Sequence, residues 1–486
     1  MAVEAGEDPD VAVVNAADVV VEAETEVAEV EDNMNMGDHR SRNQFHRNMD
    51  GGGAFCPCKK KVPVNRGFAL VVVLWVVAIM GTITMMFTGQ TRLSIKINHN
   101  SLESQRAGLL AEAGIHRLIA ALVQDDLETI SDHKQEIWFN SDTTFSDIPL
   151  GDGVYRLIHY NPDREDTSGE SIYYGAMDEC GKLNINYATR DQLLRLPNAT
   201  EEIIDAIIDW RDEDDEPGTM GAESEYYQTL LEPYVAKNSL FDTLDELLIV
   251  KDVTLSVLYG EDTNLNGTLD PNEDDGETQL PLDNKDGILD VGWYPYITVY
   301  SYEKNVNSSG EARININTAS EDELTEQLGD ELEEEDIENI IEEREDNAFA
   351  SVAHVLDANI DQEKWKAIVD RITVSDEEQF PGRININTAP KTVLQCLLPD
   401  DEDTVQSILE YRESKGTFDS IGDLLNVDGI DTNKLKQLAN LICTRSAVFS
   451  VRSIGYIERS RAYREIYAVI DRGVRPPAIR YWKVLR

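Results

Sequence analysis

One segment limits what this chain can fold into: FALVVVLWVVAIMGTITMMF, Phe68 to Phe87, twenty residues without a charge. Such a run is long enough to cross a bilayer core as a single helix. KKKVPVNRG, just before it, is basic, and the seven bases of residues 37–67 lie on the same side. Beyond it come Arg92 and Lys96 and then an acidic sequence. The positive-inside rule therefore predicts a single-pass topology, with the N-terminus cytoplasmic and the C-terminal bulk exported. No small-x-small site follows the apolar run, which argues for retention over secretory cleavage there.

The helical pattern continues past the membrane stretch through LSIKINHNSLESQRAGLLAEAGIHRLIAALVQDDL. Leu109, Ile115, Leu118, Ile119 and Leu122 have helical spacing and predict an amphipathic second half. Next come EIWFNSD, GVYRLIHYN and ESIYYGAMDE, in which Ile137, Phe139, Val154, Arg156, Ile158, Ile172 and Tyr174 alternate as half-buried strands do. The C-terminus has the same character in AVFSVRSIGYIE, RAYREIYAVIDRG and AIRYWKVLR. The expected fold is α+β: a long N-terminal helix and a small antiparallel sheet made from both ends of the chain, with a large, mostly helical insertion between its strands.

That insertion, about 182–444, holds a repeat: LNINYATRDQLLRLP, ININTASEDELTEQLG and ININTAPKTVLQCLLP, starting at Leu183, Ile314 and Ile384. Each predicts an extended I-N-x segment, a capped helix, a turn and a second helix. The unit resembles the helix-hairpin-helix module of competence DNA receptors, whose glycine-rich hairpins offer backbone amides to phosphate. Here the hairpins read LPNATEE, LGDELEEED and LPDDEDT, with acids in the place of those glycines. The chain as a whole has a net charge of −50, which repels nucleic acid. A structural helical module is the reading; a membrane-anchored DNA receptor is the alternative.

Twelve residues carry metal-ligand spacing. Asp262, Asn264 and Asn266 occupy positions 1, 3 and 5 of an EF-hand-like loop, with Gly267 at the sharp turn. Thr268 offers a carbonyl at 7, Asp270 stands at 9, and Glu273 is a bidentate candidate at 12. Hard oxygen donors at this spacing predict Ca²⁺. Asp283, Asp286 and Asp290 copy part of the pattern and form a possible second site. No HExxH, GxSxG, Walker or dinucleotide motif is present, and no enzyme activity is expected. Cys180, Cys396 and Cys443 are scattered and read as buried apolar residues, and the lone Cys56–Cys58 pair does not make a zinc site.

Two family resemblances add to this reading. A basic stretch, Gly67 and an apolar run beginning at Phe68 resemble a prepilin leader. That resemblance implies cleavage after Gly67 by a prepilin peptidase and N-methylation of Phe68. Pilins and most pseudopilins have glutamate at the fifth mature position, where it neutralises a neighbour's terminal amine; this chain has Val72. The segment from Asp209 to Val250, DWRDEDDEPGTMGAESEYYQTLLEPYVAKNSLFDTLDELLIV, closely resembles protein K, a minor pseudopilin of the type II secretion system that typically lacks that glutamate. The resemblance covers roughly residues 60–486. It implies a fibre-tip subunit anchored in the inner membrane and exposed to the periplasm, partnered by the minor pseudopilins called proteins I and J. It also implies a growing pseudopilus that pushes exoproteins toward the outer-membrane secretin, and calcium sites in the helical part. The expected regions are a leader (1–67), a spine (68–125, spanning the membrane at 68–88), pilin-like strands (126–181), a first repeat region with the calcium loop (182–312), second and third repeats (313–444) and terminal strands (445–486).

Overall fold

The computed structural model describes residues 66–161, 172–276, 278 and 283–485. Most of the expected leader, including Cys56 and Cys58, lies outside the described residues. The chain divides into two units, Met1–Ile83 and Thr84–Arg486. The dominant element is helix α1, Arg66–Glu128, which is 63 residues long.

In the first unit, every side chain described from Phe68 to Ile83 is exposed. The apolar part of α1 is long enough to cross a membrane. Its few hydroxyls are satisfied within the helix, as where Thr82 Oγ1 donates to Ile79 O at 2.8 Å. That back-bonding lets threonine sit in an apolar surrounding without an unmet donor.

In the second unit, α1 becomes one-sided. Ala107, Leu110, Ala111, Ile115, Leu118 and Leu122 are buried at steps of three and four residues, the stripe of a helix lying on a core. Leu109 corrects the expectation: it is 66% exposed, and its neighbour Leu110 takes the inward place. The partner surface is an antiparallel sheet of β1 (Ile148–Leu150), β2 (Gly153–Tyr160), β3 (Ile172–Tyr173), β4 (Met177–Asp178), β5 (Val448–Ile457), β6 (Ala462–Asp471) and β7 (Ala478–Val484). The main path runs β1-β2-β5-β6-β7, with β3 on β2 and β4 on β5. The N-terminal strands thus pair directly with C-terminal ones, Leu157 opposite Ser453. The approach is close: a Cβ at Gly455 would meet Ala107 O at 1.9 Å, and Ser453 Oγ donates to Ala111 O at 2.6 Å. Trp138, Phe139, Phe145 and Phe449 fill the space between helix and sheet.

EIWFNSD is not a strand. Residues 133–140 form consecutive turns, with Trp138 and Phe139 packed inward and Ile137 64% exposed. The alternation reflected turn geometry around two adjacent aromatics, not a pleat.

Between β4 and β5 lie three repeats, each closed by a short parallel strand pair: Leu183–Asn184 with Ile297–Thr298, Ile314–Asn315 with Ile372–Thr373, and Ile384–Asn385 with Ile442–Cys443. Between its two strands each repeat has two helices, a 3-10 turn and a further helix, and the first repeat adds a short helix, Ser224–Tyr227, before its 3-10 turn. The recurring asparagines of the motif explain why the repeat recurs. Asn186, Asn317 and Asn387 each accept from, and donate to, the backbone of a phenylalanine that follows the second helix: Phe241, Phe349 and Phe418. The second helix returns an arginine to the same bend, Arg211 to Ala188 O, Arg344 to Ile316 O and Arg412 to Ala389 O. One hydrophobic core runs through all three repeats.

The first repeat is enlarged at two points. Residues 212–243 separate its second helix from its 3-10 turn, where the later repeats use 347–351 and 415–420. Residues 260–296 separate its third helix from its closing strand, where the others use 369–371 and 439–441. Tyr227 and Phe241 of the first excursion and Trp293 and Tyr296 of the second are buried in the common core and tie both segments back to it.

Candidate cation sites and charge junctions

The Asp262–Glu273 loop fills the second excursion, directly after the helix Leu255–Tyr259. Asp262 and Glu273 are 3% and 1% exposed. Asp262 Oδ1 and Oδ2 accept from the backbone N–H of Asn266 and Gly267 at 2.9 and 2.8 Å, and Gly267 takes φ +70° at the turn. Asn264 Nδ2 and Asn266 Nδ2 both donate to Asp270 Oδ2, at 2.8 and 2.9 Å. Glu273 accepts from Asp270 N at 3.1 Å, and burial raises its carboxyl above the usual range. Thr268 donates its N–H and Oγ1 to Asn266 Oδ1. Asn264 Oδ1 is buried with no donor, while Asn264 O receives Arg452 Nη2 from β5 at 3.2 Å. The orphaned Asn264 Oδ1 stands in a loop rich in hard oxygens, but among the described residues Asp262, Asp270 and Glu273 do not converge into one cluster, and the loop's own amides occupy part of the donor set.

The three acids of the second expected site do other work. Asp283 accepts from Gly276 N and Lys285 N, Asp286 from Ile288 N, and Asp290 from Asn284 Nδ2. Each caps a local turn, and among the described residues the three do not converge into one cluster. On α1, Gly67 and Phe68 lie in the first turn, and Val72 is 45% exposed among apolar neighbours.

The first excursion brings together residues that the sequence reading passed over. Asp209, on the helix Glu201–Arg211, meets Asp212 and Glu223, with one oxygen of each within 4.8 Å of the other two. Asp209 is 3% and Glu223 3% exposed. Asp209 accepts from Gly218 N at 3.1 Å. A Cβ at Gly221 would stand 1.8 Å from Asp209 Oδ2, so the loop lies directly against the carboxylate. Both oxygens of Glu223 and Oδ1 of Asp212 are buried without a donor. Burial pushes Glu223 up to about 7, with Asp209 and Asp212 adding to it.

Elsewhere the protein supplies its own cations. Glu303, also 3% exposed, joins Arg313 at 2.8 Å and Arg383 at 2.6 Å. Burial opposes its ionisation, but the two guanidiniums outweigh burial and hold its carboxyl at about 2. Arg472, buried at the end of β6, pairs with Asp132 and, at 2.9 Å, with Asp125. Asp178 accepts from Asn385 Nδ2, Thr388 Oγ1 and Ser446 Oγ at 2.9, 2.5 and 2.7 Å, tying the third repeat to the sheet. Cys180, Cys396 and Cys443 are buried and free.

This architecture defines a class: a helix of membrane-crossing length packed on an antiparallel sheet, with a three-repeat helical module inserted in that sheet. Residues 182–259 and 384–443 each match a family model described as type II secretion system (T2SS), protein K. Two segments of the insertion, one in the first repeat and one in the third, are thus similar to that family. Protein K of Aeromonas hydrophila is 25% identical over 204 residues, 39% of this chain and 59% of that protein. Protein K of Pectobacterium carotovorum is 28% identical over 209 residues, 41% and 60%. The endonuclease/exonuclease/phosphatase family domain-containing protein 1 of Xenopus laevis is 28% identical over 170 residues, 31% of this chain and 28% of that protein. The chain spans under two thirds of the length of each of these relatives. A chain in the GspK–GspI–GspJ complex of the enterotoxigenic Escherichia coli type 2 secretion system aligns over 81% of this chain at 14% identity and a TM-score of 0.41.

Proposed function

We propose that this chain is a minor pseudopilin at the tip of a type II secretion pseudopilus. The observation that carries this is the pair of protein K matches, one in the first repeat and one in the third, within an insertion framed by a sheet from both ends of the chain. The work is assembly, not catalysis. The spine joins those of other minor pseudopilins in the inner membrane, the partners of the kind called proteins I and J. The periplasmic part then stands at the end of the growing fibre, which pushes exoproteins toward the outer-membrane secretin. Val72 is central to the reading. Without a carboxylate at that place, nothing in the spine neutralises the terminal amine of a following subunit, and an unpaired ammonium in lipid is costly. The chain then accepts no successor and caps the fibre. Prepilin peptidase releases the leader after Gly67 and leaves an N-methylated Phe68.

The repeats are structural, modules of helix-hairpin-helix type with the phosphate contacts missing. Their turns carry Glu201, Glu202, Asp330, Glu331, Asp400 and Asp401 where a phosphate would approach. Calcium at Asp262, Asn264, Asn266, Asp270 and Glu273 belongs to the same reading, because a bound cation fixes a loop that lacks a core. Co-expression of the full chain with its prepilin peptidase and partner pseudopilins tests the whole. The expected product is one copy of the Phe68-started chain in a heteromeric complex; a chain with an unprocessed N-terminus that purifies alone would contradict it.

A further inference from the structure

The sheet carries α1 on one face, and its other face and the first repeat border a cavity of about 390 Å³. That volume lies within the range of small-molecule sites, about 300–1,000 Å³. Successive residues of a strand point to opposite faces. Ser453 of β5 turns to α1 and donates to Ala111 O, so Arg452 turns to the cavity. Arg452, Tyr467 and Lys483 stand side by side across β5, β6 and β7. The first repeat supplies the facing wall through Asp245, Tyr259, Val291 and Tyr294. Five tyrosine rings follow one another around the space. Tyr259 meets Tyr294 at 5.7 Å between centroids, Tyr294 meets Tyr467 at 6.4 Å, Tyr467 meets Tyr481 at 6.0 Å, and Tyr481 meets Tyr300 at 6.2 Å. Burial raises the phenols of Tyr259, Tyr294 and Tyr300 above their ordinary range, so they stay uncharged. The charged groups are already engaged. Lys182 meets Glu179 at 2.6 Å, Lys483 meets Asp245 at 2.6 Å, and Arg452 Nε donates to Glu465 at 2.7 Å. Asp262 is taken by the amides of Asn266 and Gly267.

We infer that this cavity, between the first repeat and the outer face of the sheet, binds an uncharged saccharide of one or two rings. A charged ligand would have to leave water for a place whose counter-ions are spent on one another. A plain hydrocarbon would strip water from the tyrosine hydroxyls and from the heads of the ion pairs, and give nothing back. The planes of neighbouring tyrosines lie 37° to 66° apart, so no two of them form a parallel slot for a flat aromatic ring. A puckered sugar ring suits what remains. Its faces carry C–H bonds, whose slightly positive hydrogens meet the negative face of an aromatic ring. Its edge carries hydroxyls, each of which both donates and accepts. Each ion pair at the cavity offers one group that donates and one that accepts. Tyrosine serves both needs, the ring against the face and the hydroxyl toward the edge. A sugar held there would also brace the first repeat against β5, β6 and β7.

The test uses the full chain in a detergent without a sugar headgroup, because a maltoside would compete. Saturation-transfer NMR titrations with glucose, maltose, N-acetylglucosamine, glucuronate, glucosamine and phenol read the affinities. The three neutral sugars should give saturable binding. Glucuronate and glucosamine, close to glucose in ring but carrying a charge, should bind about tenfold more weakly or worse. Val291→Trp, which fills the cavity from the repeat side, should abolish maltose binding. Tyr481→Ala removes one ring from the outermost strand, β7, and should weaken maltose about tenfold; it provides the reading if Val291→Trp does not fold. Maltose affinity unchanged in Tyr481→Ala, or in a folded Val291→Trp, overturns the site, as does binding of none of the neutral sugars. Glucuronate or glucosamine binding as tightly as glucose overturns the uncharged class. Phenol binding without any neutral sugar overturns the saccharide.

Discussion

Glu303 and Glu223 are equally buried and have opposite surroundings. Glu303 sits between Arg313 and Arg383 and is held at about 2; Glu223 sits against Asp209 and Asp212 and is pushed up to about 7. The first joins the strand Tyr302–Lys304 to the second and third repeats through guanidiniums drawn from both. The second lies in an excursion that only the first repeat has. Glu303 is thus closed by the protein's own cations, whereas Glu223, in the enlarged repeat, has two carboxylates beside it and no ion pair. In a chain with 93 acids against 43 bases, internal cations are scarce. Where they run out, as beside Glu223, the carboxyl is held toward its neutral form.

The largest break in this comparison comes from Glu303→Gln. Two half-buried arginines would lose their buried carboxylate partner, which should cost about 3 kcal/mol, read as a lower denaturation midpoint with and without Ca²⁺. Chelation should act only on the other side. Ca²⁺ at about a hundred times its dissociation constant should add roughly 2.7 kcal/mol per site, so EDTA should lower the melting temperature of wild type. Equal melting in EDTA and millimolar Ca²⁺ would refute the calcium proposed for the Asp262 loop. Glu303→Gln should keep its full calcium response.

Glu136 sharpens the comparison as an intermediate case. It accepts from Trp138 Nε1 and His133 N and faces His133 Nε2 at 3.6 Å, yet burial and then Asp132 and Asp125 raise it to about 8. Arg472 is committed to those same two aspartates, and Asp419 faces His133. A carboxyl raised from its ordinary 4.5 stabilises the fold below that pH and loses the contribution as pH climbs toward 8. Glu136→Gln should therefore flatten this slope and gain about 2 kcal/mol at pH 8, measured by urea melts across pH 5–8. A wild-type stability that does not fall over this range would contradict the burial argument.

Legibility from sequence followed the range of the interactions. The spine and β5–β7 were readable because period 3.6 and period 2 are local. The repeat was readable because Asn186, Asn317 and Asn387 serve one bend three times over. The Asp262 loop matches a motif in sequence, since its candidate oxygens lie within twelve residues. Glu223 was not, because it meets Asp209 through a fold-back over Gly218 and Gly221, and nothing separates its acids from the many solvated ones. Leu109 and EIWFNSD misled for a related reason. Leu110 or Leu109 could each serve the stripe, and only the sheet's position selects; Trp138 and Phe139 are adjacent, and turns bury both.

The tip assignment is the central claim, and photo-crosslinking from Val72 tests it most directly. With a photoreactive residue at that position in the mature chain, expressed beside the other pseudopilins, crosslinks should form to glutamate-bearing minor partners, with no ladder of this chain with itself. Homotypic ladders without heterotypic crosslinks would contradict a capping subunit and leave only an ordinary membrane anchor.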